Sequence, residues 1–177
     1  MNYLELVKAP ERKDINTRCS YASQETMLKL LGRPDIEHSK CPVPTVTKDL
    51  GPFRATGFEP FLDVLAKGFA VLKEHYPDFF EMLESAGCLN VRKVRGGTNF
   101  SNHAWGTAID IQIAGHVCPL GSEQIHRGLL RVYESFKQFS LVSDKWLYWG
   151  AGFARCDAMH FEASEQLVKR WAKEGRI

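Results

Sequence analysis

The stretch Ser101-Asn102-His103-Ala104-Trp105-Gly106-Thr107-Ala108-Ile109-Asp110-Ile111-Gln112-Ile113 decides how the rest of the chain is read. From Ala108 onward it alternates strictly. Ile109, Ile111 and Ile113 share one side, and Ala108, Asp110 and Gln112 share the other. Period-two alternation is the pattern of a strand with one buried face. Asp110 is then a carboxylate held mid-strand on the face that looks into a cleft, with Gly106 and Ala108 keeping bulk away from it. His103 lies where the chain enters the strand. An imidazole and a carboxylate on one rigid element supply two ligands for a borderline metal such as zinc.

A third ligand comes from Asp157-Ala158-Met159-His160-Phe161-Glu162-Ala163. Met159, Phe161 and Ala163 form an apolar face, which leaves His160 on the polar one. A straight strand would point Asp157 the other way. A bend around Cys156 to Ala158 lets both side chains reach one cavity. The expected site has His103, Asp110 and His160 on the metal, a water in the fourth position, and Asp157 beside that water. Three protein ligands with one open position is the catalytic arrangement, whereas structural zinc sites are closed with four. Glu162 is read as a residue that caps or orients rather than ligates. His38, His75, His116 and His126 have no partner at metal spacing and read as surface residues.

The pattern Ser101-x-His103-x-x-Gly106-x-Ala108-x-Asp110, followed by Asp157-x-x-His160, resembles the signature of the D-Ala-D-Ala carboxypeptidase family of zinc peptidases. That family includes VanY-type carboxypeptidases and phage endolysins that cut the peptide stems of peptidoglycan. The resemblance implies a small α+β fold, similar to the Hedgehog signalling domain, with a small antiparallel sheet carrying the zinc site and helices packed on it. It implies Zn2+ as cofactor and a peptidoglycan stem peptide as partner. An arginine upstream of the signature stabilises the oxyanion in that family, which points to Arg92 or Arg95. Ser101 belongs to the motif as a donor to substrate or oxyanion. Asp157 is expected to take the proton of the metal-bound water and pass it to the departing amine. Two other readings stay open: a non-catalytic zinc-containing binding module, and a peptidase for another D-amino-acid peptide.

The bounds agree with a single peptidase domain over residues 1–177, with an N-terminal arm, helix and loop over 1–58 and a motif-bearing core over 88–163. A chain of 177 residues can bury its own core, and 44% hydrophobic with 25% charged residues is ordinary for a globular protein. A net charge of +2 gives no argument for nucleic acid. No apolar run approaches the about 20 residues of a membrane span. The N-terminus lacks the apolar core of a signal peptide, so the expected product is made in the cytoplasm and meets the wall only if released or exported by another route. A monomer is expected. Five cysteines, Cys19, Cys41, Cys88, Cys118 and Cys156, without a C-x-x-C pair, read as mainly reduced thiols, with a Cys19–Cys41 bridge as an alternative.

Elsewhere the sequence predicts a helix capped by Ser23 and ended by Gly32, a loop over 34–51, and a helix over 59–75 with Phe61, Leu62, Leu65, Phe69 and Leu72 on one stripe. A second helix is expected from Asp78 to Gly87, a strand over 88–95, and a helix over 123–139. An aromatic strand over 145–149 and a closing helix over 163–174 complete the reading. Trp105, Tyr148, Trp149 and Phe153 are candidates for either groove walls or core.

Overall fold

A computed structural model describes residues 1–177. In chain order it contains β1 (Leu6–Lys8), α1 (Gln24–Leu31), β2 (Thr45–Asp49), β3 (Arg54–Phe58), α2 (Glu59–His75), α3 (Pro77–Phe80), β4 (Leu83–Gly87), β5 (Ala108–Ile113), β6 (Gln124–His126), α4 (Arg127–Ser143), β7 (Leu147–Trp149), β8 (His160–Ala163) and α5 (Glu165–Lys173). The α+β class expected from the sequence is the one observed. The central sheet is antiparallel, in the order β4-β5-β8-β7, and two small antiparallel pairs, the long-range pair of β1 with β6 and the hairpin of β2 with β3, lie outside it.

One face of the central sheet is apolar and carries the core. Ile109, Ile111 and Ile113 of β5 and Phe161 and Ala163 of β8 are fully buried, and the inward stripe of α2 meets α4 and the β2–β3 pair. Phe69 packs edge-on to Phe136 of α4, and Phe136 in turn to Phe161. Burying such side chains is the main favourable term of the fold, at about 2–3 kcal/mol for each large apolar group. The opposite face of β5 and β8 holds the polar residues of the alternation, and there the candidate site lies.

The helix ends follow local chemistry. Ser23 caps α1 by accepting from the Thr26 N–H, and Ser164 caps α5 by accepting from the Leu167 N–H. Several expectations are corrected. The loop over 34–51 contains β2, which pairs with β3 through a turn at Gly51. Its Thr-Val-Thr-Lys-Asp run faces mostly outward and shows no apolar alternation to read. The helix expected from Asp78 to Gly87 is a single turn, α3, and the rest is β4. Pairing with β5 overrides the helical preference of that segment. The strand expected over 88–95 is absent: Gly87, at φ 136°, ends β4 after a bulge, and the chain leaves the sheet to cross over the site. The helix expected from Glu123 begins at Arg127, because β1 draws Gln124–His126 into an extended pair. The N-terminal arm thus contributes a strand, β1, to the fold.

Candidate metal centre and catalytic cleft

Strand register brings the site together. In the β5–β8 pair, Asp110 stands opposite His160 and Ala108 opposite Glu162. Residues directly opposite on antiparallel strands point to the same face, and so do residues two apart on one strand. Asp110, His160 and Glu162 therefore share a surface, and the small Ala108 leaves room beneath the His160–Glu162 pair. His103 arrives from a 3-10 turn over Asn102–Trp105, whose cap is the Ser101 hydroxyl, accepting from the His103 N–H at 3.4 Å. That turn closes at Gly106 with φ 64°. A β-carbon at Gly106 would lie 2.8 Å from the Gly57 Cα and the Phe58 N, so no other residue lets the turn sit this close to β3.

Three atoms converge. His103 Nε2 and His160 Nδ1 are 3.2 Å apart, His160 Nδ1 and Asp110 Oδ1 are 3.1 Å apart, and His103 Nε2 and Asp110 Oδ1 are 3.4 Å apart. Zinc bonds of 2.0–2.1 Å in tetrahedral geometry require ligand separations of about 3.3 Å. The three side chains thus fit one face of a zinc tetrahedron. The far sides of the two imidazoles are fixed as well. His103 Nδ1–H donates to the Cys88 carbonyl at 2.6 Å, which in the neutral ring turns the Nε2 lone pair inward. His160 Nε2–H donates to Glu162 Oε2 at 2.8 Å. A carboxylate behind a ligating histidine orients the ring and raises its basicity. The lone pairs of His103 and Asp110, facing each other, call for a cation between them.

The ionisation of the cluster reflects the same geometry. Burial by itself would depress His160, but its hydrogen bonds to Asp110 and Glu162 outweigh that and push it up to about 10. Burial raises Asp110, yet the hydrogen bonds from the two histidines hold it well below the ordinary carboxylate range. In the metal-free protein a proton on His160 thus occupies the position a cation would take.

Asp157 reaches the same cavity through a turn. Its carbonyl accepts from the His160 N–H at 3.2 Å, and its own N–H donates to the Gly150 carbonyl at 3.0 Å. The indole of Trp149 donates to the Ala158 carbonyl at 2.7 Å and locks that turn. The bend expected around Cys156 to Ala158 is where the chain makes it. Asp157 Oδ1 is buried without a hydrogen-bond partner, and burial raises the carboxyl above its ordinary value.

The cleft above these residues has a volume of about 480 Å³ and includes Arg92, Arg95, Ser101 and Asp157 in its lining. Arg92 is half-buried, with Nη1 donating to the Lys93 carbonyl at 3.1 Å, and Arg95 is exposed on the turn closed by the Lys93–Phe100 bridge. Phe153 walls the cleft and meets the His160 ring at 5.5 Å between centroids. Trp105 and Trp149 are fully buried in the core, and Tyr148 is buried behind Phe153. Tyr21, Gln24, Phe100 and Arg155 also line the cleft. The sequence reading missed them because their neighbours carry no alternation that points to the site. The orienting role of Glu162 was legible, two residues beyond His160 on the same face.

The other cysteine and histidine expectations divide. All five cysteines are free thiols, so Cys19 and Cys41 are not bridged. His38, His75 and His116 are exposed, but His126 is buried because its strand pairs with β1. No helix is long and apolar enough to cross a membrane.

Residues 95–163 match the family model described as D-alanyl-D-alanine carboxypeptidase, of the VanY-like zinc peptidases. The matched stretch contains His103, Asp110, Asp157, His160 and Glu162. It begins at Arg95, three residues after Arg92. Comparison with curated proteins and with solved structures gave no match.

Proposed function

We propose that this relative of the D-alanyl-D-alanine carboxypeptidases, recognised over residues 95–163, is a zinc peptidase that cuts bonds in peptidoglycan stem peptides, as a carboxypeptidase or an endopeptidase. The observation that carries the reading is the triangle of His103 Nε2, Asp110 Oδ1 and His160 Nδ1, with edges of 3.1 to 3.4 Å. These three atoms would hold the zinc. A zinc ion in such a site lowers the pKa of a water toward about 7 and polarises a carbonyl.

The protein's own groups do the rest. Asp157 accepts the proton of the attacking water at its carboxylate and delivers it to the departing amine. Its burial moves the carboxyl toward the range in which a base works near neutral pH. Arg92, half-buried in the cleft wall, donates to the oxyanion that develops on the scissile carbonyl, with Arg95 as the second candidate. The Ser101 hydroxyl holds the His103 turn through its oxygen and keeps its own hydrogen free for the substrate. Glu162 keeps the His160 ring oriented and its Nδ1 turned inward.

A non-catalytic zinc module is the competing reading. Such a module has no use for an acid beside the metal ligands, whereas Asp157 lines the cleft with an Oδ1 that makes no hydrogen bond to the protein. That placement favours catalysis. The deciding experiment is mass spectrometry of products after the zinc-loaded protein meets purified peptidoglycan and a synthetic pentapeptide stem. Release of the terminal D-Ala identifies a carboxypeptidase, and internal cleavage an endopeptidase. Tight zinc binding with neither substrate cut contradicts the peptidase reading of stem peptides and favours the binding module or another peptide.

A further inference from the structure

Arg155 lies on the loop that joins β7 to β8, two residues before Asp157, and lines the cleft. The carbonyls on either side of it are tied to distant parts of the chain. The Arg12 guanidinium donates to the Ala154 carbonyl, and the Gly121 N–H donates to the Cys156 carbonyl at 2.7 Å. The stem of Arg155 rests over Gly121, where a β-carbon would come within 3.1 Å of Nε and 3.3 Å of Cγ. The backbone is pinned and the side chain has a seat.

The guanidinium nevertheless forms no ion pair, and its charge reaches Asp157 only through space. The arginine ion pairs of the protein are those of Arg127, Arg131 and Arg176. Within the cleft, Asp110 and Glu162 are engaged by His160. Asp157 forms no ion pair with Arg155. A positioned guanidinium presents a planar fork that matches a carboxylate with two parallel hydrogen bonds. Arg92 and Arg95 line the same cleft, whose own carboxylates are Asp110, Asp157 and Glu162.

Resting on the peptidase reading above, we propose that Arg155 binds a carboxylate of the substrate peptide and makes the cleft selective for peptides that carry one near the scissile bond. Two carboxylates of a stem peptide have this chemistry: the C-terminal one and that of an acidic residue within the stem.

The test compares wild type, Arg155→Ala and Arg155→Lys, all zinc-loaded, on three synthetic stem peptides: the free acid, its C-terminal amide, and the peptide with its internal Glu replaced by Gln. Wild type should prefer the free acid over one of the two neutralised peptides by about tenfold or more in kcat/KM, mainly through KM. In Arg155→Ala that preference should collapse toward one, and Arg155→Lys should keep part of it. A collapse confined to the amide identifies the C-terminal carboxylate, and one confined to the Gln peptide identifies the internal acid. Thermal melts confirm that the variants fold. The same preference in Arg155→Ala as in wild type, or no preference in wild type, overturns the proposal while leaving the peptidase reading intact. Wild type with zinc bound that cuts none of the peptides removes the peptidase reading, and this inference with it.

Discussion

The floor and the rim of the cleft are built on opposite principles. On the floor, both histidines have their outer nitrogens engaged, His103 by the Cys88 carbonyl and His160 by Glu162, and all inner atoms converge within hydrogen-bonding distance. On the rim, Arg92, Arg95 and Arg155 face open space without a single ion pair. Buried ligands must be oriented before the ion arrives, because a misdirected ring cannot be corrected inside a packed sheet. Rim cations keep their bonding capacity for a partner from solution. The difference separates the residues that would set metal affinity from those that would set substrate affinity.

The largest effects are expected at the floor. Chelation of zinc, or Asp110→Asn, should reduce peptide hydrolysis to background, and added zinc should restore the chelated protein only. Hydrolysis that persists in the chelated protein would remove the metal from the account. At the rim nearest the floor, Arg92→Ala should lower kcat by about 10²–10³, as loss of an oxyanion donor does, with zinc content unchanged. Arg95→Ala should change it less; the reverse order would exchange the two assignments.

Glu162→Gln sharpens the boundary between the regions. It keeps the shape but removes the charge behind His160, and should weaken zinc affinity or activity about 10–100-fold, measured by competition with a chromogenic chelator. A further effect, on stability and not on turnover, is on the pH dependence of the metal-free protein. His160 has a folded pKa of about 10 against an ordinary 6.5, so its contribution is complete below 6.5 and is lost as pH rises toward 10. Asp110 is held below its ordinary 3.8, so its contribution is present above that value and lost as pH falls beneath it. The melting temperature of the metal-free protein should therefore be highest between these limits and decline toward pH 10. Zinc, which displaces the proton of His160, should remove the alkaline decline and should itself bind less tightly as pH falls.

The floor was legible in the sequence because β5 and β8 state it twice, once through alternation and once through ligand chemistry. Asp110 and His160 could be placed on polar faces from the isoleucines, phenylalanine and alanines beside them. Their antiparallel register, which sets them opposite each other, follows from pairing that no local pattern encodes. The Cys88 carbonyl that orients His103 has no side-chain signal at all. Arg155 and Tyr21 were missed for a related reason: their positions depend on crosslinks such as Arg12 to Ala154 and on the packing of Tyr21 against Phe153. The β2–β3 hairpin escaped because its outward strand has no apolar period. The segment Leu83–Gly87 escaped because its helical composition yields to the edge of β5.

Three residues would hold the metal while Asp157 works beside it. The most direct test of this arrangement is a paired measurement of zinc content and stem-peptide hydrolysis in wild type and Asp157→Ala. Both should carry the same zinc stoichiometry, and kcat should fall by about 10²–10⁴ in the variant. Loss of zinc from Asp157→Ala, or hydrolysis at the wild-type rate with zinc retained, would contradict this arrangement.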